Sequence, residues 1–254
     1  MPTKPIIIVD HYKNAALQSP ESNNYCGLRI HALPGLHELL GNICSNYLKR
    51  GAHILDLAAG SGAMSMRLKD LGFQPVAADY VLENFRAKDI PFHQLDLNEN
   101  FSEKIRNNRH FDAIMASEII EHLENPFHFF RQCSELLKPE GVLILSTPNT
   151  QNTASVINFL RDGYFLWFSD TDRQIQGHIN PLTQWQIRYA IRTAKLEVRH
   201  EESYGENHSK AKGSKRLSFL AALLDKTSRI PISLRGEIYI CVATKQQSSK
   251  NTTE

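Results

Sequence analysis

Short apolar runs alternate with segments of helical spacing along most of the chain. This alternation is typical of βαβ units and predicts one α/β domain around a mostly parallel sheet. The predicted strands cover residues 53–58, 75–79, 91–95, 111–116, 141–147, 196–200 and 237–243. The predicted helices cover residues 33–48, 63–71, 127–137, 182–193 and 217–224.

The same pattern predicts an N-terminal extension over residues 1–32, a domain over 33–245 and a frayed tail over 246–254. Residues 148–180 are rich in asparagine and aromatic side chains and lack clear periodicity. Residues 204–224 combine a polar loop with an apolar helix. We expect these two inserts to form a lid that contacts the substrate, because loops on a rigid scaffold carry many binding residues.

The composition is that of an ordinary globular protein. Of the 254 residues 41% are hydrophobic, and the formal net charge of +2 gives no global reason to expect a nucleic acid partner. The four cysteines lie far apart without a C-x-x-C pair, so we predict no metal site and reduced thiols in a cytoplasmic protein. The longest apolar run near the start, Ile6 to Val9, is too short for a signal peptide or a membrane span.

Residues 54–62, ILDLAAGSG, form a hydrophobic strand that turns through glycines into a helix. Glycines let a ligand approach the backbone, and the first turn of a helix offers free N–H groups. The motif therefore predicts a nucleotide-type cofactor. Taken alone, it is also compatible with a tight turn that binds nothing.

Three acids stand at or near the ends of predicted strands. Asp79 follows Asp56 by 23 residues, close to the ~20-residue spacing at which nucleotide-binding folds place an acid against ribose hydroxyls. Asp96 follows the third predicted strand, where an adenine edge would lie. Each acid alone is explained as a solvated loop residue, but the three together favour a bound nucleotide.

Residues 56–62, DLAAGSG, resemble the acid-x-Gly-x-Gly-x-Gly motif of class I S-adenosylmethionine-dependent methyltransferases, with Ala58 in place of the first glycine. Residues 111–123, FDAIMASEIIEHL, resemble a block of the ubiquinone-biosynthesis-like small-molecule branch of that family. Residues 137–143, LKPEGVL, resemble the turn before its fifth strand. The resemblance implies a seven-stranded, Rossmann-like, doubly wound sheet whose last strand is antiparallel.

The resemblance also implies methyl transfer from S-adenosylmethionine to a small-molecule acceptor, with a hydroxyl oxygen favoured as the acceptor atom. Asp79 would hold the ribose of the cofactor, and Asp96 with Leu97 would flank its adenine. The complete set of predicted cofactor-binding residues is Asp56, Ala58, Ala59, Gly60, Gly62, Asp79, Tyr80, Asp96, Leu97, Ser117 and Glu118.

His122 and Glu121 are the candidate catalytic residues. His122 follows the fourth predicted strand, whose end borders the reacting methyl group in this family. A near-neutral imidazole there would suit a general base for a hydroxyl acceptor, and Glu121 would either orient the imidazole or bind the substrate. The alternative is a histidine that only packs the loop, since many members of the family act mainly by aligning the reactants.

His178, Tyr164 and Trp167 are the candidate substrate-binding residues. His178 belongs to a segment, GHINPLT, that resembles a G-H-x-x-x-x-T sequence after the fifth strand in one branch of the family. Tyr164 and Trp167 belong to an aromatic run that would form an apolar lid. Each of the three is equally explained as a structural residue.

Other functions are weighed against this interpretation. Residues 60–65, GSGAMS, fall one residue short of the G-x-G-x-x-G of nicotinamide-dependent oxidoreductases, but Asp56 and the E-x-x-E-H block disfavour that class. A binding protein without activity is disfavoured because all three acids are present. The basic residues between Lys210 and Arg216 leave open an RNA, a lipid-linked acceptor or a peripheral membrane contact, although solvated charge is the usual explanation. A sugar or a quinone precursor also remains possible as acceptor.

Overall fold

The computed structural model describes residues 23–105, 110–206 and 215–246. Most of the chain between residues 53 and 245 is organised around one seven-stranded sheet. The strands are β1 (Asn24–Tyr25), β2 (Leu28–Arg29), β3 (His53–Leu57), β4 (Gln74–Asp79), β5 (Phe92–Gln94), β6 (Phe111–Ser117), β7 (Leu137–Pro148), β8 (Leu196–Tyr204) and β9 (Ile238–Lys245). The helices are α1 (Leu36–Tyr47), α2 (Ala63–Asp70), α3 (Phe101–Ile105), α4 (Pro126–Leu136), α5 (Thr153–Asp162), α6 (Asp170–Gln176), α7 (Gln184–Thr193) and α8 (Lys215–Thr227).

The order of strands in the large sheet is β5-β4-β3-β6-β7-β9-β8. The first five are parallel, and β9 lies antiparallel between β7 and β8. The predicted doubly wound sheet with an antiparallel last strand is therefore confirmed. This order places the ends of β3, β4 and β6 side by side, at the edge where open α/β sheets bind ligands.

The sheet is covered on both faces, which explains why its central strands are apolar runs. Along β3, Ile54 packs into a cluster with Leu36 and Leu40 of α1, whereas Leu55 packs into a second cluster on the opposite face. That second cluster includes Phe129 and Phe130 of α4. Successive side chains of a strand point to opposite faces, so a continuous apolar run is needed to fill both layers.

The structure differs from the predicted elements in the extension, in the first insert and at β7. Residues 24–29 form the β1–β2 hairpin, and Leu28 and Ile30 pack against Ala59 and Ala63 at the glycine-rich turn. Residues 148–180 contain α5 and α6, although no periodicity predicted them. Strand pairing of β7 begins at Leu137 rather than at Gly141, because Phe111 pairs with Leu137 before an irregularity in the register.

Several predicted features lie partly or wholly outside the described residues. These are residues 1–22 of the extension, residues 207–214 of the second insert and residues 247–254 of the tail. Within the described ranges, no helix has the length and apolar character that a membrane crossing requires. The four cysteines are free thiols.

Candidate active site

The glycine-rich turn leaves β3 through a series of left-handed residues. Ala58, Gly60 and Gly62 have φ angles of 59°, 54° and 89°, and α2 begins directly afterwards. A Cβ atom on Gly62 would lie 2.5 Å from that of Ala87, so Gly62 is required for packing. A Cβ atom on Gly60 would approach only the ring of His31, at 3.8 Å. The backbone at Gly60 therefore has room for a ligand.

Asp79 ends β4 beside this turn and braces it. Its Oδ2 accepts a hydrogen bond from the Gly60 N–H at 2.8 Å, and its Oδ1 accepts one from the Val81 N–H at 2.9 Å. Burial raises the pKa of this carboxyl. Each carboxylate oxygen can accept a further hydrogen bond, so a role in holding ribose hydroxyls is compatible with these contacts and stays a prediction.

Asp56 lies beneath the turn rather than at its surface. The carboxyl is buried and accepts a hydrogen bond from the Ser65 hydroxyl of α2, and burial raises its pKa to about 7. Asp56 therefore ties β3 to α2, which supports the turn from below. The position of Asp56 beneath the turn does not support the predicted direct contact between this residue and a cofactor.

The remaining predicted cofactor residues follow the neighbouring strand ends. Tyr80 and Asp96 are half-buried, and Leu97 is buried. Asp96 accepts a hydrogen bond from the Asn98 N–H at 3.0 Å through Oδ1. These three residues follow β4 and β5, next to the turn, so the topology brings the predicted set to one edge of the sheet.

The extension contributes residues to this edge that the sequence did not predict. The Ser61 hydroxyl donates to the backbone oxygen of Arg29 at 2.6 Å, and His31 lies against Gly60. Burial lowers the pKa of His31 to about 4, so its imidazole is neutral at neutral pH. No local motif marks these residues, because their position depends on the packing of the hairpin.

The end of β6 leads into two glutamates, of which Glu121 is buried and Glu118 is half-buried. Glu118 has a φ of 51°, and its N–H donates to the Ser146 backbone oxygen at 3.0 Å. Glu121 accepts a hydrogen bond from the Thr147 hydroxyl at 2.9 Å through Oε2. Within the described part of the chain, the Oε1 atoms of both glutamates are buried without a hydrogen-bond partner. Ser117, also predicted for the cofactor, lies with its hydroxyl 3.2 Å from that of Ser146.

Burial shifts the pKa values of both glutamates upward. The pKa of Glu118 rises to about 7, and that of Glu121 rises well above its usual value because burial is reinforced by the charge of Glu118. The pair therefore retains protons at a pH where exposed glutamates have lost theirs. Such a pair is suited to exchange a proton with a bound hydroxyl group near neutral pH.

His122 and His178 meet beside Glu121, although 56 residues separate them in sequence. Their ring centroids are 4.8 Å apart in an edge-to-face arrangement, and Nε2 of His122 is 3.9 Å from Oε1 of Glu121. The backbone oxygen of Glu121 accepts hydrogen bonds from the N–H groups of Ile179 and Asn180, each at 3.0 Å. These two bonds fix the chain after His178 to the end of β6.

The hydrogen bond of His178 defines its neutral tautomer. Nδ1 of His178 is 2.8 Å from the backbone oxygen of Trp167, and because a carbonyl only accepts, Nδ1 carries the proton. Nε2 then has a free lone pair. Burial lowers the pKa of His178, and burial together with His178 lowers the pKa of His122 to about 3. The near-neutral imidazole expected for His122 is therefore not what its surroundings produce.

Glu121, His122 and His178 form a group that can also hold a cation. One ligand atom from each residue lies within 4.8 Å of the other two. A zinc-type ion with bonds of ~2.1 Å needs donors about 3.4 Å apart, so the three side chains would have to close by roughly 1 Å. The sequence predicts no metal site, and this stays a prediction. Glu121, His122 and His178 are nevertheless a specific candidate site for a cation.

A cavity of about 370 Å³ adjoins this cluster under the first insert. His178 and Ile179 line the cavity, together with the half-buried Phe165 and Phe168. Tyr164 also lines the cavity, and its role in binding substrate stays a prediction. Trp167 does not line it. Instead, its backbone oxygen orients His178, which the aromatic pattern did not predict.

This architecture, with a glycine-rich turn after β3 and acids at neighbouring strand ends, is that of class I methyltransferases. Among solved structures, a SAM-dependent methyltransferase from Archaeoglobus fulgidus is 18% identical at a TM-score of 0.53, covering 82% of this chain and 94% of its own. The [4+2]-cyclase SpnF is 14% identical at a TM-score of 0.58, covering 95% of this chain and 94% of its own. At these identities the likeness establishes the fold alone.

The profile of the Methyltransferase domain family matches residues 30–201, and the chain belongs to this family. The predicted class I S-adenosylmethionine-dependent methyltransferase is thus confirmed at the level of family and fold. This assignment supports the methyltransferase interpretation over the oxidoreductase alternative.

Curated relatives include ubiquinone biosynthesis O-methyltransferases. The protein from Rickettsia typhi is 27% identical over 139 residues, covering 53% of this chain and 56% of its own length. The mitochondrial protein from Rattus norvegicus is 32% identical over 122 residues, covering 43% and 34%. The chain thus spans between a third and just over half of the length of these two relatives.

Proposed function

We propose that the protein transfers a methyl group from S-adenosylmethionine to a hydroxyl oxygen of a small molecule. We choose a hydroxyl as the methyl acceptor because a group of proton acceptors lies at the end of β6. Glu118 and Glu121 each have an unpartnered oxygen among the described residues, and Nε2 of His178 has a free lone pair. The names of the curated O-methyltransferase relatives support the same choice.

The residues at the sheet edge fit the proposed cofactor. The open backbone at Gly60 offers space for its methionine portion, and Asp79, which accepts from the Gly60 N–H beside that space, is the residue proposed to hold the ribose hydroxyls. When bound, the cofactor supplies an electrophilic methyl group on a sulfonium, which is already a good leaving group. The protein then has to align the reactants, exclude water and remove one proton.

Proton removal is assigned to the cluster beside β6 rather than to one histidine. The cofactor would supply the methyl group and leave as S-adenosylhomocysteine, while the cluster would take the proton that the acceptor hydroxyl loses as its oxygen bonds to that methyl group. Neutral His122 is a weak base because its pKa is about 3, whereas Glu118 has a pKa of about 7. A carboxylate of that basicity is well matched to a transfer near neutral pH.

The donor set also supports a second mechanism, in which a divalent cation binds to Glu121, His122 and His178. A bound cation would lower the pKa of the acceptor hydroxyl by coordinating its oxygen. The two mechanisms are separated by assaying the protein after chelation and again after adding back Mg²⁺ or Zn²⁺. Activity that survives chelation assigns proton removal to the side chains alone.

The acceptor can be identified by incubating the protein with a cell extract and a methyl donor carrying an isotopic label. Mass spectrometry should then find the label on an ether oxygen of a small molecule. Label on nitrogen, carbon or RNA would contradict the proposed O-methylation and leave the family assignment intact.

A cytoplasmic location is a further prediction, which rests on the sequence.

Substituting His122 tests its role once the acceptor is known. We expect His122→Ala to lower turnover by about 10- to 100-fold, since it removes a neighbour of Glu121 and His178 but not the carboxyl groups. Affinity for S-adenosylhomocysteine should change only slightly. Single-turnover rates measured across pH provide the check, and an acid limb that persists in His122→Ala assigns the ionisation to another group. Loss of folded protein with unchanged turnover per folded molecule would indicate a packing role.

A further inference from the structure

Two helices of the predicted lid expose large apolar side chains to solvent. On α8, Phe219 and Leu223 are 73% and 49% exposed, and Leu220 is exposed beside them. On α5, Phe159 and Leu160 are 45% and 69% exposed. We call these five residues the α5–α8 surface.

The two helices pack against each other, so their exposed residues belong to one region of the molecule. The hydroxyl of Thr153, the first residue of α5, donates to Asp225 near the end of α8. Only two residues of α8 follow Asp225, so most of α8 lies on the N-terminal side of this bond. An antiparallel course of α5 along α8 would bring Phe159 and Leu160 toward the level of Phe219 and Leu220.

Basic residues stand before and after the apolar residues of α8 in the sequence. Lys226 follows Leu223 by three residues, a spacing that matches one helical turn, and Arg216 precedes Leu220 by four residues in the sequence. Residues 207–224 contain four lysines and arginines and no acid. Asp225 is held by Thr153 and by Arg235, whose guanidinium lies 3.5 Å away, so its charge is compensated. An exposed apolar stripe between basic residues is typical of helices that lie in a membrane interface.

We propose that the α5–α8 surface docks on an anionic lipid bilayer. The apolar side chains would enter the boundary between headgroups and acyl chains, while the basic flanks contact lipid phosphates. A second copy of the chain is a poorer occupant, because a two-fold contact would bring the same basic flanks together. The cavity beside His178 is continuous with this surface, since Phe159 belongs to both. The inference does not depend on the identity of the acceptor.

Vesicle sedimentation of the full chain tests this proposal. We expect binding to phosphatidylcholine vesicles that contain phosphatidylglycerol, little binding to phosphatidylcholine alone, and weaker binding at high salt. Phe219→Ser should lower the partition coefficient by ~10-fold, because it removes one large inserted side chain. Trp185→Ser is the matched control, since Trp185 is a large apolar side chain that is 62% exposed on α7 and is not one of the five residues of the α5–α8 surface. Lys226→Glu should lower binding to the anionic vesicles only, whereas Arg192→Glu on α7 should not.

Three outcomes would overturn the proposal. They are the absence of binding to anionic vesicles, equal binding by the wild type and Phe219→Ser, and a change from dimer to monomer when Phe219→Ser is analysed by gel filtration. The last would assign the surface to a second copy. Calorimetry with S-adenosylhomocysteine on the same variants separates this proposal from the proposed function, because cofactor affinity should be unchanged by all four substitutions.

Discussion

Gly60 and Gly62 both have left-handed backbones, but for different reasons. Gly62 lacks space for a Cβ atom because Ala87 and Phe85 lie against it. Gly60 has space for a Cβ atom, so packing within the protein does not require glycine there, and our prediction is that a ligand uses this space. Ala58 has a φ of 59° at the position where the resembling motif carries glycine, so the turn tolerates one strained residue.

Gly60→Ala is therefore expected to fold and to bind cofactor poorly. The left-handed backbone costs alanine about 1–2 kcal/mol of stability, and the added methyl group would occupy the ligand space. Calorimetry should show at least ~10-fold weaker binding of S-adenosylhomocysteine. Gly51→Ala is the matched control, because Gly51 has a φ of 85° and nothing within 4 Å of an added Cβ atom. Equal affinities of the two variants would place the ligand elsewhere.

Glu118 makes the stability of the protein depend on pH. Its pKa is raised from 4.5 to about 7, so the folded state keeps a proton that the unfolded state releases between those values. Stability from this residue is therefore present at low pH and is lost as the pH rises through that window. His122 acts in the opposite sense, because its pKa is lowered and the folded state resists protonation below pH 6.5.

Glu118→Gln should remove the cost of ionising this buried carboxyl. We expect the variant to match the wild type near pH 4 and to be more stable near pH 8, by up to about 3 kcal/mol. Denaturant unfolding at the two pH values measures the difference, and Glu83→Gln on an exposed turn provides the control. If the difference in free energy of unfolding between Glu118→Gln and the wild type does not vary with pH, ionisation of Glu118 does not destabilise the folded state.

The meeting of His122 with His178 illustrates what the sequence could not predict. Both residues were candidates, but the contact depends on the backbone of Ile179 and Asn180 bonding to Glu121, and no side-chain pattern encodes those bonds. Thr147 was missed as the partner of Glu121. The sequence did carry a signal for Thr147, because it directly follows Ser146 at the end of a predicted strand. The parallel register of β6 and β7 aligns Ser117 with Ser146, so Thr147 lies at the same edge of the sheet as Glu121.

At the scale of elements, the central strands were predictable because both their faces are buried. The hairpin formed by β1 and β2 was not, since strands of two residues carry no periodicity. Helix α5 was missed although its ends were marked. Asn152 caps its first turn by accepting from the Ala154 N–H, and Gly163 ends it with a φ of 84°. Aromatic residues beyond Gly163 obscured that pattern.

The segment between α5 and α6 is the element expected to respond to substrate. It carries exposed Tyr164 and Trp167. It contacts the β6 cluster through the bond from His178 to the Trp167 backbone oxygen and through the ring of Phe168, whose centroid is 5.5 Å from that of His178. Chymotrypsin should cleave at Tyr164 or Trp167 in the free protein and more slowly when S-adenosylhomocysteine and acceptor are both bound. S-adenosylhomocysteine alone serves as the control. Equal cleavage rates in all states would make the segment a fixed wall of the cavity.

At the scale of the whole molecule, the cofactor edge joins parts of the chain that are distant in sequence. The extension covers the glycine-rich turn through Ile30 and through Arg29, whose backbone oxygen accepts from the Ser61 hydroxyl, and Asp79 from β4 braces the turn. Bonds from Asn149 to the backbone oxygens of Leu234 and Gly236 tie the end of β7 to the segment before β9. Ligand binding at this edge should therefore stabilise the domain as one unit.

Thermal unfolding with different nucleotides tests that expectation. A ligand that binds only the folded state at ~100 times its Kd adds about 2.7 kcal/mol of stability, which in a domain of this size corresponds to a rise in Tm of roughly 5–10 °C. We expect this rise with S-adenosylhomocysteine and none with NAD. Gly60→Ala should abolish the rise, whereas Gly51→Ala should retain it from a lowered starting Tm. A rise with NAD alone would contradict the proposed cofactor, because the same glycines and Asp79 would then be serving an oxidoreductase.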